Sequence, residues 1–403
     1  MFKQEGTTNP HVGSSSNSVA QSARVSAVII TKNEEHRLRP LLESLAWVGE
    51  IVAVDDESTD RTREILEAFG ATVVVRPSGG DFDQQRNAGI DAAHGEWILQ
   101  LDADEIVSPA LREEIQRVLT HPSGPVAYRI QRRNYFLGHE MRYGGWGWRG
   151  VKLFQRTAAR YVGHSVHETL TVNGPTADLT QRMLHYPFQS LTQCVERQNF
   201  YTTVQARLLR ADQPKLSNQR VRYHLLQRPL KLFWKSYVKK GGRREGMHGL
   251  VFAALFAWFE FLKWAKWWEQ EAGAETKTKN VPREEATISV ETSGSDTPWW
   301  HTLDALVSRY NIYTSRQAEQ LFSEGDPLST KRIRRLLWKE PWKVFWKSYV
   351  QEGRRTRGLP GLVTAGFCAG LELLRWAKYW ELTCPEVVAS RASPQPAEVA
   401  LAR

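Results

Sequence analysis

Between Gly95 and Glu105 a short apolar run, Trp97-Ile98-Leu99-Gln100-Leu101, ends abruptly in Asp102-Ala103-Asp104. The run reads as a buried strand that delivers two carboxylates, spaced one residue apart, to its C-terminal tip. Open α/β sheets bind ligands in the crevice outside the carboxyl ends of their strands. Two hard oxygen donors in that position suit a divalent cation that keeps some of its water and bridges to phosphates, as magnesium does. An Asp-x-Asp also occurs in ordinary solvated loops, so the surrounding pattern has to decide.

Upstream, Val25–Thr31 is strand-like, Lys32-Asn33-Glu34-Glu35 is polar, and Arg37–Trp47 carries Leu38, Leu41, Leu42 and Leu45 at helical spacing. The unit recurs. Ile51–Val54 predicts a second strand, Ser58, Thr59 or Asp60 a helix cap, Arg61–Phe69 a helix and Gly70 its stop. Thr72–Val75, Asp83–Ala93 and Trp97–Leu101 continue as strand, helix, strand. This alternation predicts an α/β fold with a mainly parallel sheet.

Four blocks, Val28-Ile29-Ile30-Thr31-Lys32-Asn33-Glu34, Val52–Thr62 with Asp55-Asp56, Gln84-Gln85-Arg86-Asn87-Ala88-Gly89 and Leu101–Glu105, occur in the order and spacing of glycosyltransferase family 2. The chain resembles that family, and within it the bacterial lipopolysaccharide core β-glycosyltransferases, in which a Val-His-Glu block and a basic, aromatic C-terminal segment follow. Val166-His167-Glu168 and the region after Arg228 match that description. Glu57 stands where many members have glycine, which makes a positive φ at this turn a source of strain.

The resemblance implies a GT-A, Rossmann-like sheet and an inverting transfer from a nucleotide-diphosphate sugar. Asp102 and Asp104 would hold Mg2+ or Mn2+, which offsets charge on the leaving diphosphate. Asp55 would meet the base or ribose, with Thr31, Asn33 and Glu34 lining the nucleotide crevice. Arg86 would approach the base or the diphosphate, and Arg149 and Lys152 would bind the diphosphate or be ordinary surface charges. Inversion requires a base outside the metal pair, and Glu168 occupies the family's acceptor-side position, with Asp83 and Glu140 next in line. His167 would complete the metal shell or contact phosphate, or be structural. The Gly144-Gly145-Trp146-Gly147-Trp148 stretch would stack on an acceptor sugar or pack on the domain.

A second feature is an internal repeat at a constant offset of 112: Phe233-Trp234-Lys235-Ser236-Tyr237-Val238 recurs as Phe345-Trp346-Lys347-Ser348-Tyr349-Val350, and Trp264-Ala265-Lys266 as Trp376-Ala377-Lys378. The register extends upstream to Tyr201-Thr202 and Tyr313-Thr314. The catalytic blocks have no second copy. On a helix, Glu260, Lys263 and Lys266 share one arc, opposite Trp258, Phe261, Trp264 and Trp268; Glu372, Arg375 and Lys378 lie opposite Trp376 and Trp380. Such helices fit a membrane interface, where Trp264, Trp268, Trp376 and Trp380 would enter the headgroups, or they pack on each other or on the catalytic domain. Leu250–Phe259 is half of what a bilayer span needs, so surface attachment is expected rather than spanning.

The net charge of +10 over 403 residues favours anionic partners. Three scattered cysteines exclude a disulfide framework or a zinc site and fit a reducing compartment. The expected layout is a disordered leader at 1–24, a catalytic domain at 25–225, helical modules at 226–270 and 299–384, a linker at 271–298 and a disordered tail at 385–403. The expected protein is a cytoplasmic glycosyltransferase, peripheral on the inner face of the cytoplasmic membrane, acting on a glycolipid or lipid-linked saccharide, with no nucleic-acid partner. Its rivals are a catalytically silent membrane or nucleic-acid binder and a nucleotidyltransferase. The latter needs a glycine-rich phosphate loop, and Thr31–Arg37 has no glycine.

Overall fold

The computed structural model describes residues 24–120, 124–163, 170–279, 302–325 and 327–384. These form two compact units, one from the residues up to Arg133 together with Gly147–Tyr186, the other from Asn134–Trp146 and the residues from Pro187 onward. The expected leader, apart from Arg24, the expected tail and residues 280–298 of the expected linker lie outside the described residues.

In the first unit, strands β1 (Val25–Thr31), β2 (Glu50–Asp55), β3 (Thr72–Val75) and β4 (Trp97–Asp102) alternate with helices α1 (Leu38–Ser44), α2 (Thr62–Ala68) and α3 (Phe82–Ala92). After β4 come β5 (Glu105–Ile106), α4 (Pro109–Val118), β6 (Ala127–Phe136), β7 (His139–Glu140), which belongs to the second unit, then β8 (Arg149–Gln155), β9 (Ala159–Tyr161), β10 (Leu170–Val172) and β11 (Thr176–His185). The sheet order is β3-β2-β1-β4-β8-β6-β11-β5. Its first four strands pair in parallel, and β4–β8, β8–β6 and β11–β5 pair antiparallel. The fold is therefore α/β, with a parallel half that the βαβ pattern predicts and an antiparallel half built on β4.

Both faces of the parallel half are covered. Val25, Ala27 and Ile29 of β1 join a core with Leu38, Leu41 and Leu42 of α1 and Leu111 and Ile115 of α4. Val28 points the other way, into a cluster with Ile90 of α3, Ile98 and Phe154. Alternating residues thus feed two apolar layers, which is why β1 and β4 read as unbroken hydrophobic runs. The caps differ in detail from expectation. Asp60 accepts from Thr62 N at 3.0 Å, while Ser58 turns back toward β1 and β2.

The second unit is helical and twofold repeated. The first copy comprises α5 (Leu191–Asp212), α6 (Asn218–Arg222), a π turn (Tyr223–Gln227), α7 (Arg228–Trp234), a second π turn (Lys235–Lys239), a 3-10 turn (Gly242–Glu245) and α8 (Gly246–Lys279). The second comprises α9 (Leu303–Ser323), α10 (Thr330–Trp346), a π turn (Lys347–Gln351), a 3-10 turn (Arg354–Arg357) and α11 (Leu359–Thr383). At the offset of 112, Leu191 corresponds to Leu303. The repeat therefore starts about ten helical turns earlier than the expected boundary after residue 225, and the units divide at Tyr186/Pro187 instead. α8 also runs past Gln270 into the stretch expected to be linker.

The copies pair reciprocally. Leu303 N donates to Glu269 Oε1 and Leu191 N to Glu381 Oε1, both at 2.8 Å. Asn199 Nδ2 donates to the Asp304 carbonyl and Asn311 Nδ2 to the Thr192 carbonyl, both at 2.9 Å. Residue i of one copy meets j of the other and j meets i, the signature of an isologous, two-fold interface inside one chain. Gly370 is required at this contact, because a Cβ there would run into the Trp258 indole.

Within each copy a buried lysine ties two helices together. Lys266 Nζ donates to Asn199 O, Asn199 Oδ1, Thr202 Oγ1 and Thr203 Oγ1 at 2.6–3.0 Å. Lys378 repeats this with Asn311, Thr314 and Ser315. Burial pushes both ammonium groups down to about 8. These two lysines do not face solvent, and Trp264, Trp268, Trp376 and Trp380 are buried in the same core. The expectation that these tryptophans enter lipid headgroups is thus corrected: the apolar arcs are buried in the unit's core, Trp264 against His224 of its own copy and Trp380 against His248 of the other. Gly242–Glu271 does have the length and apolarity to cross a bilayer, contrary to the short run read from the sequence, yet most of that window is buried in the unit.

His248 supplies a pH signature. It stacks on His139 at 4.4 Å between centroids, and burial, then His139, push its imidazole down to about 4. An unfolded chain takes up that proton at about 6.5, so between pH 6.5 and 4 the unfolded state binds more protons and stability falls as pH falls. The contribution is at most about 3 kcal/mol. His248→Phe should flatten this acid limb, read as urea midpoints at the two ends of the window. An unchanged limb would assign the acid sensitivity elsewhere.

Candidate active site

Sheet register assembles the site. β1 pairs Thr31 with Asp55 of β2 and Ile30 with Asp102 of β4, so three neighbouring parallel strands end level with one another. Asp55 is fully buried. Its carboxylate accepts from Ser58 N at 2.8 Å, Ser58 Oγ at 2.5 Å and Thr31 Oγ1 at 3.2 Å. These bonds use the buried carboxylate to order the β2–α2 loop. Asn33 N donates to Ser58 Oγ and Asn33 Oδ1 accepts from Thr59 N, each at 2.8 Å, which clips the β1–α1 loop to its neighbour. Asn33 and Glu57 both have φ of 53°. The strain expected of Glu57 is therefore present, and Asn33 is a residue type that tolerates it.

Asp102 lies at the centre of a charge cluster. Its Oδ1 accepts from Arg86 at 2.8 Å, and its Oδ2 from Arg132 and, at 3.2 Å, from Lys152. Burial raises its carboxyl, but the charges of Lys152, Arg86 and Arg132 outweigh burial and hold it well below the usual range. Glu105, also fully buried, fixes the cations from beneath: it accepts from Arg132 Nε at 2.5 Å, Lys152 Nζ at 2.7 Å and Asp102 N at 2.8 Å. Trp148 plates the cluster, with Arg132 4.2 Å and Lys152 5.3 Å from its ring centre. A Cβ at Gly150 would collide with that indole.

Asp104 has different company. His185 Nε2 lies 3.5 Å from its Oδ1 and Arg37 3.8 Å from its Oδ2, and Arg37 also reaches Glu34 at 3.6 Å. Burial, assisted by Arg132, lowers the His185 imidazole below its ordinary value against the pull of the carboxylates. Asp104 and His185 offer a hard oxygen and a neutral imidazole, a donor pair that fits Mg2+ or Mn2+ completed by water and phosphate. Among the described residues no cluster of three or more ligating side chains occurs.

The sequence-derived candidates therefore separate. Thr31, Asn33, Glu34, Arg86, Asp102, Asp104 and Lys152 converge on the strand tips. Arg149 does not: it pairs with Asp178 at 3.2 Å. It stands three positions before Lys152, and side chains an odd number of positions apart on a strand face opposite ways. Glu168 and His167 lie outside the described residues. Asp83 is buried at the start of α3, and Glu140 is engaged by Arg142 at 3.1 Å. Trp146 packs with Phe136, Phe188 and Phe252, whereas Trp148 stays part-exposed over the cations. Arg132, Glu105 and His185 were missed. Only Glu105, adjacent to the acidic pair, carried a signal in sequence; the other two arrive on antiparallel strands far along the chain.

Glu105→Gln tests the cluster. Removing one partner of a buried ionic network leaves uncompensated charge and should cost about 3 kcal/mol or more, read from urea denaturation. A loss below about 1 kcal/mol would mean that Glu105 is dispensable to the cluster.

Residues 26–174 match the family model for glycosyl transferase family 2. An uncharacterised glycosyltransferase of Rickettsia felis is 31% identical over 286 residues, covering 66% of this chain and 95% of its own. The lipopolysaccharide core biosynthesis glycosyltransferase LpsC of Rhizobium meliloti is 30% identical over 261 residues, covering 62% and 93%. Among solved structures, S. aureus TarS 1–349 in complex with UDP superimposes with a TM-score of 0.33 at 14% identity, covering 69% of this chain and 99% of that one. On the family match and on relatives covered over nearly their whole length, the chain belongs to glycosyltransferase family 2 and is a glycosyltransferase.

Proposed function

We propose that the chain is an inverting, metal-dependent transferase that moves a sugar from a nucleotide diphosphate to a glycolipid or lipid-linked saccharide at the inner face of the cytoplasmic membrane. The observation that carries this reading is the gathering of Arg86, Arg132 and Lys152 on Asp102, with Asp104 and His185 beside them, at the carboxyl ends of β1, β2 and β4. A diphosphate entering this crevice meets three cations already held in place, so little side-chain ordering remains to be done on binding. Mg2+ or Mn2+ would be held by Asp104 and His185, with Asp102 alongside, and would act as Lewis acid toward the leaving diphosphate. His185 is proposed in addition to His167, which lies outside the described residues. The similarity to LpsC makes lipopolysaccharide core the first acceptor to examine.

In the reaction, Arg86, Arg132 and Lys152 orient the diphosphate. Trp148, part-exposed above them, presents an aromatic face to a sugar. Glu168 removes the acceptor hydroxyl's proton on the side opposite the leaving group, as inversion demands. A catalytically silent binder would have no need of so many buried charges at one strand tip, because each is costly to desolvate.

Thermal shift with a panel of nucleoside diphosphates and Mn2+ tests the donor site. A ligand at 100 times its dissociation constant should stabilise by about 2.7 kcal/mol. Asp104→Ala should lose the Mn2+-dependent part of the shift and nearly all donor hydrolysis while keeping its own melting transition. A shift that persists in excess chelator would overturn the metal assignment. Glu168→Gln should keep the shift and lose about 10²–10⁴-fold in turnover, since an amide keeps the shape but takes no proton. Unchanged turnover would move the base to another carboxylate.

A further inference from the structure

With the apolar arcs buried in the unit's core, a different surface of the repeat remains exposed. Leu226, Leu230 and Trp234 follow one another at intervals of four along the first copy, and Trp338, Trp342 and Trp346 occupy the corresponding positions of the second. Leu230 is 63% exposed and Trp234 56%; the three tryptophans of the second copy are 65%, 62% and 51% exposed. Residues four apart share one helix face, so each copy carries an apolar stripe in water. One residue further on runs a basic stripe: Lys231, Lys235 and Lys239, and Lys339, Lys343 and Lys347, all exposed. Lys235, Lys239, Lys339 and Lys347 have no carboxylate within 4.0 Å among the described residues.

The two stripes meet. Phe233 and Trp338 lie 5.9 Å apart, Arg334 donates to the Tyr237 hydroxyl at 2.9 Å, and a groove of about 1060 Å³ opens between the copies. Phe233, Val238 and Leu250 line its apolar part, and Lys239, Lys240 and Arg334 supply its charge.

From this arrangement we infer that the paired stripes and the groove between them form a docking surface for the headgroup layer of an anionic phospholipid bilayer. Charge complementarity selects the occupant. Lysine stems lie along apolar surface while their ammonium groups reach phosphate, and indoles settle at headgroup depth. Single-stranded nucleic acid would also suit tryptophan and lysine, but Leu226 and Leu230 offer no face on which a base can stack, and the groove has an apolar lining. The inference rests on the reading of a membrane-borne acceptor and deepens it by naming the surface that meets the membrane.

The experiment uses the full chain without donor. Sedimentation with vesicles of phosphatidylcholine plus phosphatidylglycerol should show binding that weakens as salt rises, and vesicles of phosphatidylcholine alone should bind far less. Each lysine near an anionic surface contributes about fivefold, so Lys339→Glu/Lys343→Glu/Lys347→Glu should weaken binding by about a hundredfold or more. Trp338→Ser/Trp342→Ser/Trp346→Ser should weaken it by about tenfold or more and reduce quenching by brominated lipid, Trp234 being left to report on the first copy. These side chains are exposed, so circular dichroism and donor hydrolysis should be unchanged in both variants, which separates failure here from failure of the transferase reading. The inference is overturned if the wild type ignores anionic vesicles at low salt, if both variants bind like wild type, if a single-stranded oligonucleotide displaces the vesicles, or if the stripes prove to join two copies of the chain in solution.

Discussion

The site depends on Glu105. Arg132 and Lys152 come from separate antiparallel strands, and each would be costly to bury unless a counter-charge waited for it. Glu105 binds both and also accepts from the backbone N–H of Asp102, so one buried carboxylate sets the positions of two cations and of the strand tip they serve. Asp102 then reads the same cations from the other side, together with Arg86 from α3. The network joins parallel and antiparallel halves of the sheet by charge as well as by backbone pairing. Trp148, seated on Arg132 and Lys152 across the space left by Gly150, shields the pair without neutralising it.

The helical unit solves a similar problem differently. Lys266 and Lys378 are buried among carbonyl, amide and hydroxyl oxygens, with the Asp304 carboxylate 3.4 Å from Lys266, and burial holds both near 8. Such a site tolerates a charge only if every acceptor is in place, which makes α5 and α8, and their counterparts α9 and α11, register-specific partners. Reciprocal bonds from Leu191 and Leu303 to Glu381 and Glu269 then join the copies. Duplication in one chain thus yields what a homodimer would build from two, with the pairing partner always present at high effective concentration.

Once the large apolar arcs are buried in the unit's core, what faces water is decided by what is left over. The exposed stripes around Trp234 and Trp342 are conspicuous because the rest of the unit hides its tryptophans so thoroughly.

The α/β order, the strand that ends in Asp102, the family and the existence of a repeat are all legible along the chain, because each rests on local periodicity or on short motifs. Arg149 and Lys152 share β8 at an odd spacing, so only Lys152 faces the site. Tertiary structure alone decided the rest. Glu105, Arg132 and His185 became site residues through strand pairings up to 80 residues apart, which no local pattern encodes. Likewise, a helical wheel shows that a helix has an apolar arc, but whether lipid or another helix covers it depends on what the chain brings alongside. Here helices of both copies cover the arc, and a neighbouring stripe is left for water or for a membrane.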